Sequence, residues 1–175
     1  AVQQRPDYAV SIAMSSERIG NYECINGVNT DGWYQGDGML YVYTGDEYKD
    51  PYGSAFWNNA NPYHMPGTTE DTQERKLSSY SSPYLSPRDF VGGVEFDDTY
   101  ITAAMDFEAF HNDVPPTNVD VGYGGDFDLH NNDLVAKKSW FLFDDEIVAL
   151  GAGINSTTGF DVQTVVDNRL LKESY

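Results

Sequence analysis

The chain has 175 residues and a formal charge of −18, from 28 acidic against 10 basic side chains. That length can close a core of its own, and that charge excludes the clustered Lys and Arg with which proteins grip nucleic acid or an anionic membrane. No apolar run approaches the ~20 residues of a membrane span, and AVQQRPDYAV at the start is not a signal peptide, so a soluble chain is expected. Abundant aromatics, including 13 Tyr, favour β structure; Cys24 is the only cysteine, so no intrachain disulfide can form, which leaves export open.

In chain order, YAVSIAM (8–14) alternates large apolar with small residues, the period of a strand. Residues 18–26 predict a second strand, and MLYVYT (39–44) a third that stops at Gly45-Asp46. Between them runs a polar stretch punctuated by Gly27, Gly32, Gly36 and Gly38 and carrying Trp33 and Tyr34. Residues 46–90 contain Pro51, Pro62, Pro66, Pro83 and Pro87, and each proline deletes a ladder donor. The stretch therefore reads as an ordered excursion without regular structure, anchored by Phe56, Trp57, Tyr63, Tyr80 and Tyr84. Excursions of that length usually face a function or a partner.

Strands resume at 92–96 and 100–110; in the latter Met105, Phe107 and Ala109 alternate with Asp106 and Glu108, and this period outweighs a competing helix propensity. Pro115-Pro116 and three glycines make 113–125 a loop. Residues 134–143 and 146–154 predict a hairpin turning at Asp144-Asp145, 157–159 a turn, and 162–171 a last strand. Eight or so short strands without βαβ alternation predict an all-β fold, an antiparallel β-sandwich. An end on a strand with no closing element reads as part of a larger sheet system.

Three histidines, His64, His111 and His130, lack the spacing of a zinc motif, and no GxSxG elbow is present. Asp144-Asp145-Glu146 places three carboxylates in one turn, where they repel unless solvated or bridged by a cation. Calcium suits such oxygens but takes ~6–8 of them, so further donors would be needed. Glu23 and Asn26 stand where a strand gives way to the glycine-rich stretch. A carboxylate there can orient a cation or hydroxyl, and an amide can donate to a substrate oxygen; the alternative is that both satisfy loop backbone.

NYECINGVNTDGWYQGDGMLYVY (21–43) resembles the "NYESINGEN…GWYTGDGMLYLY" signature of polysaccharide lyase family 8, the hyaluronate, chondroitin AC and xanthan lyases. In the same order, NPYHMPGTT (61–69) resembles its "W-x-R-L-P-G-T-T" segment, KKSWFLFDDEIVALGAGI (137–154) its "K-S-W-F-F-F-D-D-E-I-V-x-L-G-x-G-I" hairpin, and VQTVVDNRLL (162–171) its "V-x-T-x-x-D-Q-R". The resemblance implies the first part of the central supersandwich, flanked in the whole protein by an N-terminal helical toroid and a C-terminal β domain. It implies a secreted or periplasmic bacterial enzyme that cuts uronate-containing polysaccharides by β-elimination, with the catalytic Asn, His and Tyr on the toroid and thus outside residues 1–175, so the isolated chain is expected to be inactive. Glu23 matches the family's Glu that supports the base and an Arg, Asn26 its sugar-contacting Asn, and Trp33 and Tyr34 lie beside them as substrate contacts. Asp144, Asp145 and Glu146 match a turn that contributes calcium ligands in xanthan lyases; no cofactor is implied for the chemistry itself. Val28, Cys24 and Asn61 depart from the family's usual Glu, Ser and Trp or Asp. Two other classes remain open: a non-catalytic carbohydrate-binding module with Trp33, Tyr34 and Trp57 as platforms, and a purely structural sandwich.

Overall fold

The structure is a computed structural model that describes residues 1–22, 29, 32, 34–45, 51–73, 85–109 and 133–170. Its elements are β1 (Val2–Gln4), β2 (Tyr8–Met14), β3 (Asp37–Thr44), α1 (Ser54–Trp57), β4 (Thr69–Asp71), β5 (Val91–Phe96), β6 (Tyr100–Glu108), β7 (Val135–Leu142), β8 (Ile147–Asn155) and β9 (Val162–Thr164). They form a three-stranded sheet β1-β2-β3, a four-stranded sheet β5-β6-β7-β8 and a two-stranded pair β4-β9, and every pairing is antiparallel.

Alternation along β2 and β3 gives the middle sheet two working faces. Val10 and Ile12 of β2, opposite Val42 and Leu40 of β3, meet Met105, Phe107, Ala136, Trp140 and Leu142 of the four-stranded sheet in one buried core. The intervening residues of β3, Tyr41 and Tyr43, sit opposite Ser11 and Ala9, whose small side chains leave room for the rings. Those rings join a second core of Tyr22, Tyr34, Met39, Tyr52, Phe56 and Met65. Tyr52 is its centre: its ring lies 5.2–5.3 Å from those of Tyr41, Tyr43 and Phe56, edge-on to each, and its hydroxyl accepts from Val42 N at 3.1 Å. Edge-to-face packing of this kind places the positive rim of one ring on the negative face of the next. The described residues thus stack as three layers, with the proline-rich segment as the outermost.

Strands at 8–14, 39–44, 92–96, 100–110 and the 134–154 hairpin stand where periodicity puts them, within a residue or two. The expected strand at 18–26 does not form over its described part. Ser16 and Ile19 instead exchange backbone bonds of 2.9 and 3.2 Å across a tight turn, and Ser16 Oγ accepts from Arg18 N at 3.1 Å, the local bonding by which a serine competes with a ladder. The last strand also stops early, at Thr164 rather than 171, because the facing chain turns away at Gly67 (φ +83°). The proline-rich excursion is more regular than expected, containing α1 and β4. Among the described residues no helix is long and apolar enough to cross a membrane.

Candidate functional site

The stretch 18–44 is anchored from both sides. Asn21, Tyr22 and Tyr34 are buried, Asp37 N donates to Tyr34 O at 3.1 Å, and Gly36 lies so close to Asn21 that a Cβ there would stand 2.3 Å from its Cα. Only glycine permits that approach. Glu23, Asn26 and Trp33 lie outside the described residues, as does Cys24. Tyr34 is fully buried, with its ring 6.3 Å from that of Tyr63. It packs in the second core of the chain.

The second motif, 61–69, folds as consecutive turns. Asn61 Oδ1 accepts from Tyr63 N at 3.0 Å, and Thr68 Oγ1 donates to Met65 O at 2.7 Å. The fourth motif docks on it: Thr69 pairs with Thr164, Gly67 N donates to Val165 O at 2.7 Å, Val165 N to Thr68 O at 2.9 Å, and Asn168 Nδ2 to His64 O at 2.7 Å.

The third motif reaches both through Lys138. This side chain points inward from β7 between Ala136 and Trp140 and is 6% exposed. Its ammonium donates to Asp37 O at 2.9 Å and to Gly67 O at 2.7 Å. Gly38 (φ +101°) makes room for it, since a Cβ there would fall 2.8 Å from Nζ and 3.0 Å from the Trp140 ring. Burial pulls the Lys138 pKa down to about 8, against the opposing pull of the Glu70 and Asp37 carboxylates. One buried cation therefore joins the motif at 21–43, the motif at 61–69 and the motif at 137–154, and the motif at 162–171 is clipped to the second of them.

Beside this junction opens a cavity of about 360 Å³ lined by Asn61, Tyr63, His64, Glu70, Asp71 and Gln163, among others. Glu70 and Asp71 are buried, and Asp71 accepts from Gln73 Nε2 at 2.5 Å. Amides, carboxylates and a phenol thus meet in one concave place. His64 is exposed, on the cavity rim; His111 and His130 lie outside the described residues.

Asp144, Asp145 and Glu146 form the exposed turn between β7 and β8, closed by a 2.9 Å bond from Phe143 N to Glu146 O. Among the described residues no three His, Cys, Asp or Glu side chains are grouped to hold a metal ion.

Sequence reasoning missed Lys138 and Glu70. The signal for Lys138 was present: period two places it on the same face as Ala136, Trp140 and Leu142, where a charge must find partners.

The chain belongs to polysaccharide lyase family 8, whose super-sandwich domain it matches over residues 1–175. It is 37% identical over 176 residues to the hyaluronate lyase HylB of Enterococcus faecalis, covering 99% of this chain and 16% of that protein. Over 171 residues it is 39% identical to the xanthan lyase of Bacillus sp. strain GL1, covering 98% of this chain and again 16% of the relative. Its fold superposes on Paenibacillus xanthan lyase with a TM-score of 0.74 at 36% identity, covering 99% of this chain and 14% of that one. For the Streptomyces coelicolor chondroitin AC lyase the TM-score is 0.72 at 34% identity, covering 96% and 20%. The chain thus spans a fifth or less of the length of these relatives and corresponds to a sandwich-domain portion of them.

Proposed function

We propose that this chain is the central β-sandwich portion of a secreted bacterial lyase that cleaves uronate-containing polysaccharides, of hyaluronan or chondroitin type, by β-elimination. In that reaction a base removes the uronate C5 proton, the C4–O4 bond breaks, the C4–C5 double bond forms, and the leaving O4 takes up a proton. The base and the group that neutralises the uronate carboxylate would come from a helical toroid outside these residues. Glu23 would support the base through hydrogen bonds, and Asn26 and Trp33 would contact sugar. The charge of −18 fits this division of labour: an acidic wall repels a polyanion, so the cationic part of the cleft must belong to another part of the protein.

The observation that carries the reading is the convergence of all four motifs on one buried junction, around Lys138 and the β4–β9 pair. Chance matches along a sequence have no reason to meet in space.

The test is ultraviolet absorbance of the unsaturated uronate product when the full-length parent is incubated with hyaluronan, chondroitin or xanthan. Absorbance growth on one of them is expected, and none on any of the three sinks the lyase reading. Binding without turnover would instead favour a carbohydrate-binding module. Within the active parent, Glu23→Gln is expected to lower kcat roughly ten-fold or more with a smaller change in KM, because a supporting hydrogen bond counts most where charge develops. An unchanged kcat would remove Glu23 from the mechanism.

A further inference from the structure

The acidic turn lies against one end of the three-stranded sheet. Arg5, in the turn between β1 and β2, has a side chain only 15% exposed, and its Nε stands 3.4 Å from Asp144 Oδ1, an ion-pair distance. The other arm of the guanidinium donates to Thr99 O, in the turn between β5 and β6.

The carbonyls that flank the acidic turn are occupied as well. Gln3 Nε2 donates to Thr99 O at 2.7 Å and to Phe143 O at 3.1 Å, and the Tyr8 hydroxyl lies 3.0 Å from Phe143 O. A calcium ion needs roughly 6–8 oxygens. Here Phe143 O, next to the first carboxylate, and Glu146 O already accept hydrogen bonds, and a guanidinium stands where a second cation would be repelled.

We propose that Arg5 is the built-in cation of the Asp144-Asp145-Glu146 turn and takes the place of a metal ion there. The planar fork of arginine suits this role, because one side chain reaches a carboxylate and a backbone carbonyl at once and stays charged at every working pH. Three connections of the sandwich, β1–β2, β5–β6 and β7–β8, are thereby tied at one end without a bound ion. The inference is independent of which polysaccharide the protein cuts.

Thermal unfolding of the full chain with and without millimolar calcium chloride, at low ionic strength, tests it in wild type, Arg5→Met and Asp144→Asn. The wild type is expected to show no calcium-dependent rise in Tm. Arg5→Met keeps most of the aliphatic stem and loses the charge; its Tm should drop by a few degrees, and calcium should restore part of that drop. A calcium-dependent rise in the wild type that Asp144→Asn abolishes would overturn the proposal, since the turn would then bind the ion with Arg5 in place. An Arg5→Met protein that ignores calcium would overturn it too, because Arg5 would then be replacing nothing. If Arg5→Met does not fold, Arg5→Gln takes its place: it keeps a donor for Thr99 O and loses the charge, so it should gain from calcium where the wild type does not, and no gain overturns the proposal.

Discussion

The two faces of the four-stranded sheet use the same strands to different ends. On the inner face Ala103, Met105, Phe107, Ala136, Trp140 and Leu142 are buried against the three-stranded sheet. On the outer face Val94, Phe96 and Leu150 are 66%, 70% and 54% exposed, although they are as apolar as their inward neighbours. Alternation therefore tells which side chains share a face and says nothing of which face is covered. Burial here follows from what packs across the sheet, and Lys138, a charge buried on the inner face, has two carbonyl acceptors and two nearby carboxylates there.

Substitutions can break that contrast in descending order. Trp140→Ala should cost about 4 kcal/mol in urea unfolding of the chain, since it empties the largest fully buried side chain of the core. A loss under about 1 kcal/mol would mean the core closes over the space. Lys138→Met should cost about 3 kcal/mol, because Glu70 would stay buried without its cation and Asp37 O and Gly67 O would lose their donor.

The Lys138 variant also carries a pH signature. The unfolded chain holds this proton up to its ordinary value of 10.5, the folded chain only to about 8. Unfolding in that window takes up a proton, so the stability of the wild type should rise with pH relative to Lys138→Met. Parallel pH profiles for the two proteins would contradict a depressed Lys138 pKa. Smallest of all, Val94→Thr on the outer face should change stability by less than about 0.5 kcal/mol. A larger loss would show that the outer face is covered in solution.

Much of the sandwich was legible because β2, β6 and β7 bury alternate residues, and one buried face per strand makes a period of two visible; β5 and β8 were legible instead as short apolar runs bounded by turn residues. The short pieces were not. β1 is VQQ and β4 is TED, three residues each, too short for any period and too polar for a core signal; they are strands because a neighbour supplies the ladder. The sites divided in the same way. Local cues identified the acidic turn, yet Arg5 meets Asp144 from the far side of the chain, and Lys138 meets Asp37 across 101 residues. No window along the sequence contains either pair.

The β4–β9 pair has a further consequence, for the order in which the chain folds. Thr69 and Thr164 stand 95 residues apart, and only three register pairs reward the closure of that loop. Closing a long loop costs entropy before its contacts return any, whereas β5–β6 and β7–β8 are hairpins closed by short turns at residues 97–99 and 143–146. The two hairpins should thus assemble before the β4–β9 clip, which makes the polar cavity beside Glu70 and Gln163 a late product of folding, present only once residues 69–71 and 162–164 have met.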